Sequence, residues 1–390
     1  MNEASGMSDA SDTDRVGTVV SANDISDESS ASQHFSQSYA QARSKFLHAA
    51  QAARLDVKSH AHPMLGRDGE SLAIDVVRDG PIDARSLLII TSGCHGVEGY
   101  CGSAVQTCLL SDPDWRLAAH DAGVAVLYVH ALNPYGFSWE RRVTQENVDL
   151  NRNFVDFSQP LPRNAAYDEL ASVIVPSTWP PSDAVNAAAL QFITDRGMPA
   201  MQQAVSGGQY NHQNGLFYGG HNPTWSHVAV RHVLQDHATR CERLGWIDVH
   251  SGLGPCGVGE RIFSCEDDPV ALQRARAWWG AEVTSIYNGS SSSATLEGLM
   301  WRTAYQECPQ AEYTGITLEY GTLALMDLVD ALRGDQWLEN HPEASVDQRL
   351  QIKQRVRDAF YVDTAEWKQQ VIEQAVDAAY GAVRGLAARA

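Results

Sequence analysis

The chain has 390 residues, 44% of them hydrophobic, and carries 29 basic against 48 acidic side chains, a formal net charge of −19. That length and apolar content can build a sizeable core, while the acidic balance opposes nucleic acid or an anionic membrane as partner, since both reward clustered Lys and Arg. No apolar run approaches the roughly 20 residues of a membrane helix, and the N-terminus lacks a signal's basic and apolar regions, so the expectation is a soluble, cytoplasmic protein.

Residues 1–33 are rich in Ser, Asp, Asn and Glu, and the first thirty hold one arginine against seven acids. Such a stretch cannot offset its ordering entropy and reads as a disordered acidic tail. A single folded domain is expected over 34–390. Apolar residues at helical spacing in Phe35, Tyr39, Phe46 and Ala49–Ala50 predict an opening helix. Leu55–Ser59 and Leu72–Val77, separated by GRDG at 66–69, predict an edge hairpin. Leu87–Thr91 and Val124–His130 are continuous apolar runs, as strands buried on both faces should be.

Seven cysteines, with no CxxC pair, read as reduced thiols. Cys94, Cys101 and Cys108 recur every seven residues on one apolar helix face, so Cys101 and Cys108 are assigned to the core and Cys94 is read as structural. The segment 157–240 holds five prolines by residue 181, a helix around Ala184–Asp195 and a Gly/Asn/aromatic stretch at 207–225 that predicts an ordered surface loop beside a pocket. Its histidines, His212, His221 and His227, have no ligand spacing. GWIDVH (245–250) and TGITLEY (314–320) are two further buried strands, and from Val346 the pattern is helical, interrupted near Tyr361–Asp363. Strands alternating with helices predict an α/β fold with a mixed, mostly parallel central sheet flanked by helices.

In such sheets ligands bind outside the carboxyl ends of the strands. His95 and Glu98, three apart in SGCHGVEGY, follow the Leu87–Thr91 strand; His250 ends GWIDVH; Glu319 ends TGITLEY; Arg141-Arg142 and VDLNRNF (148–154) follow the NPYG turn at 133–136. Imidazoles and a carboxylate converging on one point suit a divalent metal such as zinc. A carboxylate inside ITLEY is costly to bury without a partner or a task. The glycines of Gly252-Leu-Gly254-Pro-Cys-Gly257 match a dinucleotide fingerprint, but Pro255 and the following GVGERIF open no helix, and no ribose-binding acid follows about twenty residues on.

Taken in order, HGVE (95–98), NPYG, Arg142 nine residues before Asn151, VDLNRNF, DVHSG (248–252) and LEYGT (318–322) resemble the zinc carboxypeptidases of the M14 type. The chain is more closely similar to the M14-like DUF2817 group, over roughly 40–330. The resemblance implies one zinc ion on His95, Glu98 and His250, with Asp149 orienting His95. It further implies that Arg142 stabilises the oxyanion, that Asn151 and Arg152 bind the substrate carboxylate, and that Glu319 is general base and proton donor. Two departures stand out: Tyr135 replaces an Asp in the turn, and the 155-residue gap from His95 to His250 is long because of the 157–240 segment. A capping tyrosine is open among Tyr287, Tyr305 and Tyr313. The implied activity is hydrolysis of an amide in a small carboxylate-bearing peptide, or aspartoacylase-like deacylation of an N-acyl amino acid. A noncatalytic binding module that keeps the fold is the alternative from another class.

Overall fold

A strand that is apolar on both faces must be covered on both, which places it at the centre of a sheet. The computed structural model, which describes residues 30–388, places the two most apolar runs there. Its strands are β1 (Val57–Leu65), β2 (Ser71–Asp79), β3 (Ser86–Ser92), β4 (Val124–His130), β5 (Arg243–Gly252), β6 (Gly259–Phe263) and β7 (Glu312–Gly321). They form one sheet in the order β1-β2-β4-β3-β5-β7-β6. The block β4, β3, β5, β7 is parallel throughout; β1 and β2 continue it antiparallel on one side and β6 on the other. Every residue of β3 and β4 is buried. The fold is therefore mixed α/β with a parallel centre, and the hairpin at 57–79 forms one edge.

Helices Gly99–Ser111 and Ala365–Ala387 pack against β3 and β5. The first lies close because Gly102 has no side chain: a Cβ there would sit 2.6 Å from that of Ser92. Gly96, six residues earlier and outside that helix, leaves room for a different neighbour: a Cβ there would fall on the backbone of Gly136 and Phe137. Among the described residues no helix is long and apolar enough to cross a membrane.

Several expectations change in the folded chain. Most of the predicted acidic tail lies outside the described residues, yet Ala31 within it is already buried. The 207–225 stretch is irregular and only partly at the surface: residues 211, 213–214 and 221–223 are exposed, but Gln209, Tyr210, Leu216, Phe217 and Tyr218 are buried, tied in by bonds such as Asp149 N to Tyr218 O and the Tyr210 hydroxyl to Arg152 O. Cys101 is in the core, but Cys108 is only half-buried. After the glycine-rich turn the chain enters strand β6 rather than a helix, and Gly252, Gly254 and Gly257 all have positive φ, which supports a reversal of direction instead of a phosphate-binding turn.

Because the missing side chain of Gly96 admits the backbone at 136–137, Gly96→Ala is expected to destabilise the protein by about 1–3 kcal/mol. Chemical denaturation followed by circular dichroism checks this.

Candidate active site

The sheet delivers the candidate residues from three neighbouring parallel strands. β3 runs into the His95–Glu98 loop, and β5 carries Asp248 and His250 two apart, on one face. β7 sets Glu319 directly opposite His250 in register. The loop that carries Arg142 is tied to the ligand loop by two backbone hydrogen bonds, from Gly96 N to Arg142 O (3.1 Å) and from Val97 N to Arg141 O (2.9 Å). Asn133 caps the intervening short helix by accepting from Gly136 N at 2.9 Å.

His95 and His250 meet at the carboxylate of Glu98. His95 Nδ1 lies 2.9 Å from Oε1, His250 Nδ1 lies 2.8 Å from Oε2, and the two Nδ1 atoms are 3.1 Å apart. His250 is held at its other nitrogen by an aspartate, Nε2 by Asp248 at 2.7 Å, while His95 Nε2 has Asp149 at 3.3 Å and the Arg142 guanidinium nearer, at 2.7 Å. Such outer carboxylates fix ring orientation and raise the basicity of the inner nitrogen. Three donor atoms drawn this close match the ~3.3 Å ligand separation implied by zinc–nitrogen and zinc–oxygen distances near 2.0–2.1 Å. The donor set therefore fits a divalent cation. A second trio, Cys94, Asp248 and His250, is also close enough and shares His250 with the first. Burial pushes the Cys94 thiol well above its ordinary value, so it stays protonated.

Arg142 joins the cluster through all three of its nitrogens. Nε donates to Asp149 (2.9 Å), Nη1 to Glu98 (3.1 Å) and Nη2 to His95 Nε2 (2.7 Å). Burial opposes ionisation of Glu98, but His95 and His250 outweigh it and hold the carboxyl below its usual range. Burial likewise opposes the charge of Asp149, and Arg142, Arg152 and His95 overcome it. His250, between two carboxylates, is raised well above an ordinary imidazole despite burial. Glu319 differs: burial first, and then the nearby Glu98 charge, push its pKa up to about 8. Its Oε1 accepts from Leu253 N at 3.0 Å.

These residues face one cavity of about 180 Å³ lined by His95, Glu98, Arg142, His250 and Glu319, together with Asn151 and Arg152. Asp149 stands behind the lining, fully buried. Asn151 Oδ1 accepts from Met300 N (2.9 Å), and Arg152 donates to the carbonyls of Ser206 and Asn151. None of Tyr287, Tyr305 or Tyr313 lines the cavity; the Tyr287 hydroxyl donates to Cys265 O and the Tyr313 hydroxyl is buried. His212, His221 and His227 are engaged elsewhere, with Asp168, the Tyr210 carbonyl and Asn153.

Two contributors are not singled out by sequence reading. Asp248 is visible in hindsight as the D of D-x-H on a strand, where a period of two puts both on one face. Phe217 has no such signal: its ring centroid lies 5.1 Å from the Arg142 guanidinium and 5.5 Å from that of Arg152, so one aromatic ring serves both cations. Its φ of 53° is unusual for a non-glycine residue.

Fold and site together define a mixed α/β protein with a candidate metal centre at the carboxyl ends of its parallel strands. The chain belongs to the family described as "Protein of unknown function (DUF2817)", which matches residues 35–374. A comparison with curated proteins returns no match. Among solved structures, the chain is similar to bovine thrombin-activatable fibrinolysis inhibitor in complex with tick carboxypeptidase inhibitor, at 11% identity and a TM-score of 0.46, over 90% of this chain and 98% of that one. It is also similar to a metallo-carboxypeptidase from Burkholderia cenocepacia (12%, TM-score 0.43, 91% and 70%) and to carboxypeptidase A from Helicoverpa armigera (12%, TM-score 0.39, 83% and 74%).

Removing Arg142 strands two buried carboxylates. In metal-free protein Arg142→Met is expected to cost about 3–5 kcal/mol at pH 7. Glu98 and Asp149 have depressed folded pKa values, so the stability they contribute is present above the ordinary carboxylate range and is lost as pH falls through the folded values. In the variant those values rise and the acids take up protons earlier, so the deficit shrinks towards pH 4. Denaturation midpoints at the two pH values check the sign.

Proposed function

We propose that the protein is a zinc-dependent hydrolase of an amide bond in a small carboxylate-bearing substrate, a peptide or an N-acyl amino acid. The observation that carries this reading is Glu319. It is a buried carboxylate in register with His250, in the same cavity as Arg142 and the His95–Glu98–His250 cluster, and a noncatalytic binder needs neither a base nor an oxyanion donor. The order of motifs along the chain supports the same reading.

His95, Glu98 and His250 would hold the ion, whose chemistry when bound is to polarise a carbonyl and lower the pKa of water towards ~7. In its ionised form Glu319, with Oε1 held by Leu253 N–H, takes a proton from the attacking water on its other oxygen and hands it to the leaving nitrogen. His95 acts through Nδ1, so its ring proton belongs on Nε2, facing Asp149. Arg142 Nη2 then loses its acceptor on that ring and is free to donate to the carbonyl oxygen as charge develops there. Arg152 and Asn151 orient the substrate carboxylate, a task suited to a guanidinium. Asp248 fixes the His250 ring through Nε2.

Protein purified without chelator is expected to carry one zinc per chain and to release amine from N-blocked dipeptides or N-acyl amino acids. Glu319→Gln should keep the zinc and lose about 10²–10⁴ in kcat. No zinc, or a rate unmoved by that substitution, would end the hydrolase reading. Separately, Asp248→Asn is expected to weaken metal affinity about 10–100-fold, read by competition with a chromophoric chelator.

A further inference from the structure

Away from the metal cluster the cavity changes character. Helices Ala165–Ile174, Asp183–Arg196 and Met198–Ser206 line it with Ile174, Ile193, Met201 and Val205. Helix Leu325–Asn340 faces it with Met326, Val329 and Leu332. Met198 and Met326 line the cavity yet are 39% and 48% exposed, so its apolar wall continues to the protein surface. Their unbranched thioethers adapt to irregular apolar occupants.

The polar groups on these walls are already engaged with the protein. Arg333 donates to the carbonyls of Ile174 and Val173 and to Asp330. Gln202 donates to Ser292 O, Ser206 Oγ to Gln202 O, and Ser251 Oγ to Phe360 O. Ser264 pairs with Thr317 at 2.9 Å. An extended peptide laid along this arm would bring an N–H and a C=O per residue and lose their water without replacement, which is costly. An alkyl chain brings no such groups and gains from the burial.

We propose that this arm holds a long unbranched alkyl chain, so that the substrate is an N-(long-chain acyl) amino acid with its amide and carboxylate at the polar end. The assignment rests on the amide-hydrolase reading for the chemistry at that end. One water is consumed: a C–O bond forms at the acyl carbon and the C–N bond breaks. A proton passes through Glu319 to the nitrogen, and a fatty carboxylate and a free amino acid leave.

The test is binding of N-alkanoyl-glycines, from acetyl to decanoyl, to zinc-loaded Glu319→Gln protein by calorimetry, beside N-acetyl oligoglycines of matching length. Affinity is expected to rise about fourfold per methylene in the alkanoyl series and to stay flat in the peptide series. A flat alkanoyl series, or an equal gain for the peptides, overturns the proposal. If affinity climbs but the zinc-loaded wild type hydrolyses none of these compounds, the hydrolase reading fails and the assignment of the arm stands. Ile193→Asp and Val329→Asp, on different helices, should each flatten the chain-length dependence. Decanoate binding to the wild type, against butyrate, gives the same readout without any variant.

Discussion

Two imidazoles and a guanidinium converge on the carboxylate of Glu98, and the candidate site depends on that convergence. Three acids, Glu98, Asp149 and Asp248, lie in the interior, with His95, His250, Arg142 and Arg152 close to them as counterweights. In a low-dielectric setting none of these charges is tolerable alone, so each fixes the position of the next. A divalent cation between the inner nitrogens and Glu98 would take over the role that protons have in the metal-free cluster.

The sheet makes the convergence possible. β3, β5 and β7 are parallel neighbours, so their carboxyl ends lie side by side and the loops leaving them share one rim. The Arg142 loop reaches the same rim because it hydrogen-bonds to the backbone of the ligand loop, a contact that requires the bare glycine at position 96. The inserted helices between 157 and 240 then roof the rim with aliphatic side chains. They turn an open strand-end crevice into a cavity that is polar at one end and apolar along its length.

Individual residues show how far the sequence could be read. His95, Glu98, His250 and Glu319 stood out because each is a polar group at the end of an apolar strand, a local anomaly that needs no partner to be seen. Arg142, Asn151 and Arg152 stood out through motif order. Phe217 did not, since nothing local separates it from the other aromatic residues of 207–225. Its place beside two arginines arises from long-range packing. The same stretch looked like surface because it is polar and glycine-rich, yet its backbone polar groups are paired with residues distant in the chain, as in Asp149 N to Tyr218 O at 2.8 Å.

What the sequence determined by itself was periodic or local: the buried central strands, the edge hairpin, the mixed α/β class and the polar residues at strand ends, because hydrophobic alternation and turn chemistry act over a few residues. Tertiary structure alone decided that His95 and His250 meet at Glu98, and through which nitrogen of each. It also decided that the walls beyond the site are apolar with their polar groups turned away. Those properties depend on side chains far apart in the chain, and only the assembled sheet and the helices over it set their distances.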